Sequence, residues 1–243
     1  MRPQTDRNDW FGFFKNPPDT VTLIVMGLAV IQIIMSLLPV IAVRRIWRLM
    51  ELSPARMMHA LDKGDVLTGM VRPILGHMFF HVNVTHMVVN LLALGMMGTV
   101  VFREIESAPK TKKHDVPIVF TAFLLLSGMF AGVFFVLINQ DSWRAMIGAS
   151  GAISGLFGAI VWINFMRSGN INAKNTDRQS KVIPMLMMLG VSILMIAATI
   201  FFDTSKLSFI LFKSASAWQA HVGGYLFGLL TYPLFERLAA AGH

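Results

Sequence analysis

The stretch RAMIGASGAISGLFG, Arg144 to Gly158, sets four glycines, three alanines and two serines, Ser150 and Ser154, into an otherwise strongly apolar chain. Gly151, Gly155 and Gly158 recur at helical spacing, which lets a neighbouring backbone come close. Near the other end, AHVGGYLFG, Ala220 to Gly228, answers with Gly224 and Gly228 four apart. These small-residue faces predict that the two helices pack against each other, with Gly151, Gly155, Gly224 and Gly228 at the seam. A packing seam is the plain reading of the stretch. The sharper one is that Ser150 does chemistry.

The rest of the chain decides which environment that serine meets. Of 243 residues, 55% are hydrophobic and only 14% charged, and the mean hydropathy is +0.62. Those values exclude an ordinary soluble domain and point to an integral membrane protein. Six apolar stretches, Val21–Val43, Phe79–Phe102, Val116–Ile138, Ser150–Met166, Val182–Phe202 and Ala217–Phe235, each come near the ~20 residues that a bilayer core requires. They predict an all-α membrane protein of six transmembrane helices with a long, partly membrane-embedded first loop. A short N-terminal cytosolic or interfacial segment, 1–19, containing DWFGFF and ended by Pro17-Pro18, would precede the helical domain, 20–237, and a tail, 238–243, would follow it. The chain has no cysteine, which excludes disulfides and thiol catalysis.

The formal net charge of +8 reads as topology signalling rather than as a nucleic-acid surface. With the N-terminus cytosolic, that side gathers twelve basic residues, among them Arg103, Lys110, Lys112, Lys113, Arg167 and Arg237. The first loop opposes this pattern with Arg44, Arg45, Arg48, Arg56, Lys63 and Arg72. Its segment RRIWRLMELSPARMMHAL mixes arginine with Trp47, Leu49, Met57 and Leu61, as a helix lying in the headgroup layer would.

Under that topology the second, fourth and sixth stretches run in the same direction and end at Arg103, Arg167 and Arg237. Counting back 17, 17 and 16 residues reaches His86, Ser150 and His221. At ~1.5 Å per residue all three stand at one level, about 24–26 Å from the inner boundary. Asn90 lies one turn beyond His86 on the same face. A single intramembrane His or Asn is often only an interhelical hydrogen bond, but a Ser, two His and an Asn near one level suit nucleophilic catalysis. Ser150 opens its helix, where unpaired N–H groups and the positive dipole end meet, and Gly148 permits the turn that presents them. His221 is then the natural general base, with His86 and Asn90 as donors to a developing oxyanion. No Asp or Glu occurs in these three stretches before Glu236, so the pair would be a Ser-His dyad.

At these residues the sequence resembles the rhomboid family of intramembrane serine proteases. The match comprises GASG at Gly148–Gly151, AHVGG at Ala220–Gly224 with Gly228 following, and HVNVTHMVVN, which carries a His-x4-His-x3-Asn run at His81, His86 and Asn90. The resemblance implies a six-helix rhomboid-like bundle with the serine at the floor of a water-filled cavity open to the non-cytosolic side. It implies cleavage of peptide bonds in or near transmembrane segments, with Ser150 as nucleophile and His221 as base. His86, Asn90 and the Ser150 backbone N–H, on the turn made by Gly148, would form the oxyanion hole. His81 matches a supporting position and His77 an outer-surface one.

Two departures stand out. Many family members carry an aromatic residue four after the nucleophile, stacked on the imidazole; here that position is Ser154, leaving Tyr225 or a residue not evident in the sequence to orient His221. The aromatic-Arg pair usual in the first loop is replaced by the neighbourhood of Val71-Arg72-Pro73. The partners implied are transmembrane protein substrates, single-span ones first, and the lipid bilayer, with no nucleic acid; the expected home is the bacterial inner membrane. No cofactor is expected, and with H-E-x-x-H absent no metal either. The alternative is a catalytically inactive rhomboid-like protein that binds membrane helices. The Met-, Leu- and Ile-rich fifth stretch offers itself as the gate for substrate, and 203–218 as a cap over the cavity.

Overall fold

A computed structural model of the protein describes residues 16–167, 179–204 and 217–241. Among these residues the chain is all helical, with nine α-helices and no strand. Helix α1, Asp19–Leu37, follows Pro17-Pro18 and has Asp19 at its positive end. It stops before Pro39, because the residue preceding a proline is pushed out of the helical region. The apolar stretch expected to run to Val43 is therefore cut short, and a separate helix α2, Val40–Met50, begins after the proline.

The single interfacial helix expected over 44–61 is likewise two. Between α2 and α3, Pro54–Asp62, the chain extends so that Leu52, fully buried, exchanges both backbone hydrogen bonds with Met146 at 2.9 Å. Pro54 holds the first position of α3, where its missing N–H costs nothing. A π-helical turn, Leu67–Val71, a short helix α4, Arg72–Gly76, and a 3-10 turn, His77–Phe79, lead to α5, Val84–Ser107. Asn83 caps α5 by accepting the His86 N–H at 2.8 Å. Then come α6, Val116–Ile138, and α7, Ser150–Trp162, which runs on as a π-helical turn, Ile163–Arg167. Helices α8, Gln179–Thr204, and α9, Trp218–Ala241, complete the described chain.

Among the described residues three helices, α1, α5 and α6, are long and apolar enough to cross a membrane, and shorter apolar runs lie at Ser150–Phe165 and Leu186–Ala198. Large apolar side chains face outward, such as Leu23 on α1, Leu92 on α5 and Ile118 on α6, as lipid-facing helices require. The N-terminal interfacial segment with DWFGFF, most of the polar connector after Arg167 and most of the capping stretch 203–218 lie outside the described residues.

The glycine seam gives the bundle its centre. A Cβ on Gly224 would overlap the Gly151 carbonyl, and one on Gly228 the Gly155 carbonyl, so α7 and α9 run parallel with their backbones in contact. On its other flank α7 meets α6: a Cβ on Gly155 would strike the Ser127 side chain, and one on Gly151 would come within 2.7 Å of Ala131 Cβ. Around this seam Phe120, Phe123, Leu156 and Tyr232 fill the core. Helix α1 runs antiparallel to α5: the Arg103 guanidinium donates to the Asn16 carbonyl at 2.5 Å, and Val21 packs at Gly98. The start of α5 and the end of α1 therefore share one end of the bundle.

Candidate active site

Ser150 is the first residue of α7 and His221 lies in the first turn of α9. The parallel glycine seam fixes their register, and His221 Nε2 stands 2.8 Å from Ser150 Oγ, a hydrogen bond. Both side chains are half-buried. The first N–H groups of α7 have no acceptor within their own helix, so the positive helix end sits at the Ser150 side chain.

Gly148 has φ +135°, a backbone conformation that side chains rarely adopt. A Cβ there would stand 2.7 Å from His86 Cε1, so the turn before Ser150 lies directly on the His86 ring. The Gly148 N–H donates to the His77 carbonyl at 2.8 Å. Gly148 thus forms the turn expected of it, and its own N–H is taken up by His77.

Asn90 is buried, its Nδ2 has no hydrogen-bond partner among the described residues, and it lines a cavity of about 290 Å³ together with Ser150 and His221. The cavity continues past Ile153, Phe157, Met97 and Ile196. Phe157 and Met97 are each seven residues beyond Ser150 and Asn90, so the space runs about 10 Å along the helices. Its two other polar walls are internally satisfied: Ser154 Oγ donates to the Ser150 carbonyl at 2.8 Å, and the Tyr225 hydroxyl donates to Ser192 Oγ at 2.7 Å. The far end of the cavity is therefore apolar in effect, while the near end holds the serine, the imidazole and an uncommitted amide.

The hydroxyl of Tyr225, a candidate to orient His221, makes its hydrogen bond away from that imidazole. Tyr225 reaches α8 instead, where Ser192 in turn donates to the Met188 carbonyl at 2.7 Å. Sequence reasoning missed Ser192, because only the fold brings α8 to α9; the one available sign was Tyr225, one turn after His221.

His77 and His81 adjoin the site through Gly148 and His86. His77, expected toward the outer surface, is buried and its Nδ1–H donates to the Pro73 carbonyl at 2.9 Å. A Cβ on Gly132 of α6 would come within 3.0 Å of its ring, so the ring packs directly on the α6 backbone. His81 is equally buried, neither ring nitrogen has a partner among the described residues, and its ring meets His86 edge-on with centroids 5.3 Å apart. Burial pushes the His77 imidazole down to about 4, so that ring is neutral at neutral pH.

The described residues thus hold a hydroxyl bonded to an imidazole, a helix N-terminus, an uncommitted amide and an apolar cavity, the parts of acyl transfer by a serine. Among those residues no three His, Asp or Glu side chains are grouped to hold a metal ion. The family model of the Rhomboid domain matches residues 68–237, well over half of the chain. No curated protein matches it.

Proposed function

Since this chain belongs to the rhomboid family of intramembrane proteases, we propose that it is itself an active serine endopeptidase that cuts peptide bonds in or beside membrane-spanning segments of other proteins. One observation carries this reading: the 2.8 Å hydrogen bond between Ser150 Oγ and His221 Nε2. As Oγ attacks the scissile carbonyl carbon, Nε2 takes the hydroxyl proton, and the new C–O bond leaves negative charge on the former carbonyl oxygen. Asn90, His86 and the Ser150 N–H stabilise that oxygen. The imidazolium then gives its proton to the departing amine as the C–N bond breaks. A water, deprotonated by the same imidazole, releases the acyl group and restores Ser150.

The helical domain crosses the bilayer six times, with the N-terminus cytosolic and the cavity open to the opposite side, in a bacterial inner membrane. Helix α7 with the π-helical turn that continues it, Ser150 to Arg167, spans about 25 Å, so Ser150 begins below the far surface of a ~30 Å core. Single-span proteins are the substrates. Their helix unwinds at the site, because a helix hides its carbonyl carbons. The apolar end of the cavity receives an apolar side chain next to the scissile bond.

The test is cleavage of a single-span reporter in vesicles by the whole protein and by Ser150→Ala. One new cut by the wild type alone supports the reading. A folded wild type that retains reporters without cutting any supports the inactive helix-binding alternative instead.

A further inference from the structure

Helix α2 carries Arg44, Arg45 and Arg48 within one arc of about 100°. The opposite arc, Val43, Ile46, Trp47 and Met50, is half-buried against the protein, with Met50 seated on Gly76 of α4. The three arginines are exposed, and none of them pairs with a carboxylate among the described residues. The nearest acid in sequence, Glu51, is taken by Arg56 at 2.5 Å. Beside the arginines stand bare apolar side chains: Ile41 at 69% exposure, Val40 at 64% and Leu37, at the end of α1, at 81%.

From these observations we infer that α2 is a binding face for anionic lipid, with the arginines holding headgroup phosphates while Leu37, Val40 and Ile41 enter the adjoining acyl region. Guanidinium groups suit phosphate because their planar fork pairs two oxygens at once. Three uncompensated cations on one arc need a dispersed anionic partner, and the apolar flank says that it is a lipid. A free phosphate leaves those side chains unexplained; a lipid covers both. The position agrees. Helix α1 runs antiparallel to α5 and ends near its start, so α2 lies at the end of the bundle that holds His86 and Ser150. This inference does not depend on the protein being a protease.

The experiment is native mass spectrometry of the full chain released from micelles containing equal amounts of phosphatidylglycerol and phosphatidylcholine. Wild type is expected to retain phosphatidylglycerol about tenfold over phosphatidylcholine, and to lose most of that preference near 0.5 M salt. The surface variant Arg44→Gln/Arg45→Gln/Arg48→Gln should lose the preference, whereas Lys110→Gln/Lys112→Gln/Lys113→Gln, with the same change in charge, should keep it. Equal retention of both lipids, equal loss in both triple variants, or displacement of phosphatidylglycerol by inorganic phosphate each overturns the inference. Unchanged thermal unfolding in the arginine variant shows that its loss is one of binding.

Discussion

The Tyr225 hydroxyl donates to Ser192 Oγ across 2.7 Å and so ties α8 to α9 one turn along from His221. Among the described residues, Met188, Val191 and Ile196 of α8 also pack against the Tyr225 and Leu229 cluster. If substrate enters past α8, as its composition suggests, this bond must break first. Tyr225→Phe is expected to raise the cleavage rate of a single-span reporter about two- to tenfold, the worth of one neutral hydrogen bond. A rate unchanged or lowered, with the fold intact, would place substrate access elsewhere.

Asn90→Ala and His86→Ala test the oxyanion assignment. Each should lower kcat by about 10²–10³ with little change in KM, since the donors act on charge that develops only in the transition state. An effect on KM alone would make them ground-state binding groups.

Gly228→Ala places a methyl group onto the Gly155 carbonyl. Thermal unfolding in micelles should show a loss of about 1–3 kcal/mol or more, because two backbones must separate. Gly95→Ala on α5, where a Cβ meets nothing within 4 Å, should be neutral or slightly stabilising. Equal responses would mean that the α7–α9 seam is not the close contact described.

The buried His77 gives the stability a pH dependence of definite sign. Burial pushes its imidazole down to about 4 in the folded chain, against an ordinary value of 6.5. The unfolded chain therefore binds more protons in that window, and stability falls as pH drops from 6.5 through 4. Above 6.5 it contributes no slope. Unfolding temperatures measured across this range should decline toward acid, and less steeply in His77→Gln. An equal slope in both proteins would contradict the burial of this ring.

Much of the site was legible because polar groups are rare in so apolar a chain. Ser150, His86, Asn90 and His221 stood out against the spans, and the spacing of Gly151, Gly155, Gly224 and Gly228 announced the close helix pair. What stayed hidden depends on contacts between distant segments. The Leu52–Met146 pairing that divides the first loop carries no local signal, nor does the His77 carbonyl that takes up the Gly148 N–H. Pro39 and Pro54 are local signals, but the apolar composition of 21–43 and 44–61 masks the helix breaks they make. Tyr225 stands out one turn after His221, but its partner Ser192 is visible only once α8 is in place.

The most direct measurement of the dyad is covalent labelling of the purified protein by a fluorophosphonate, with the modified residue located by peptide mass spectrometry. An unactivated serine hydroxyl does not react, so the bond to His221 Nε2 predicts one label, on Ser150, absent from His221→Ala. A wild-type protein that takes up no label, or an unchanged label in His221→Ala, would contradict it.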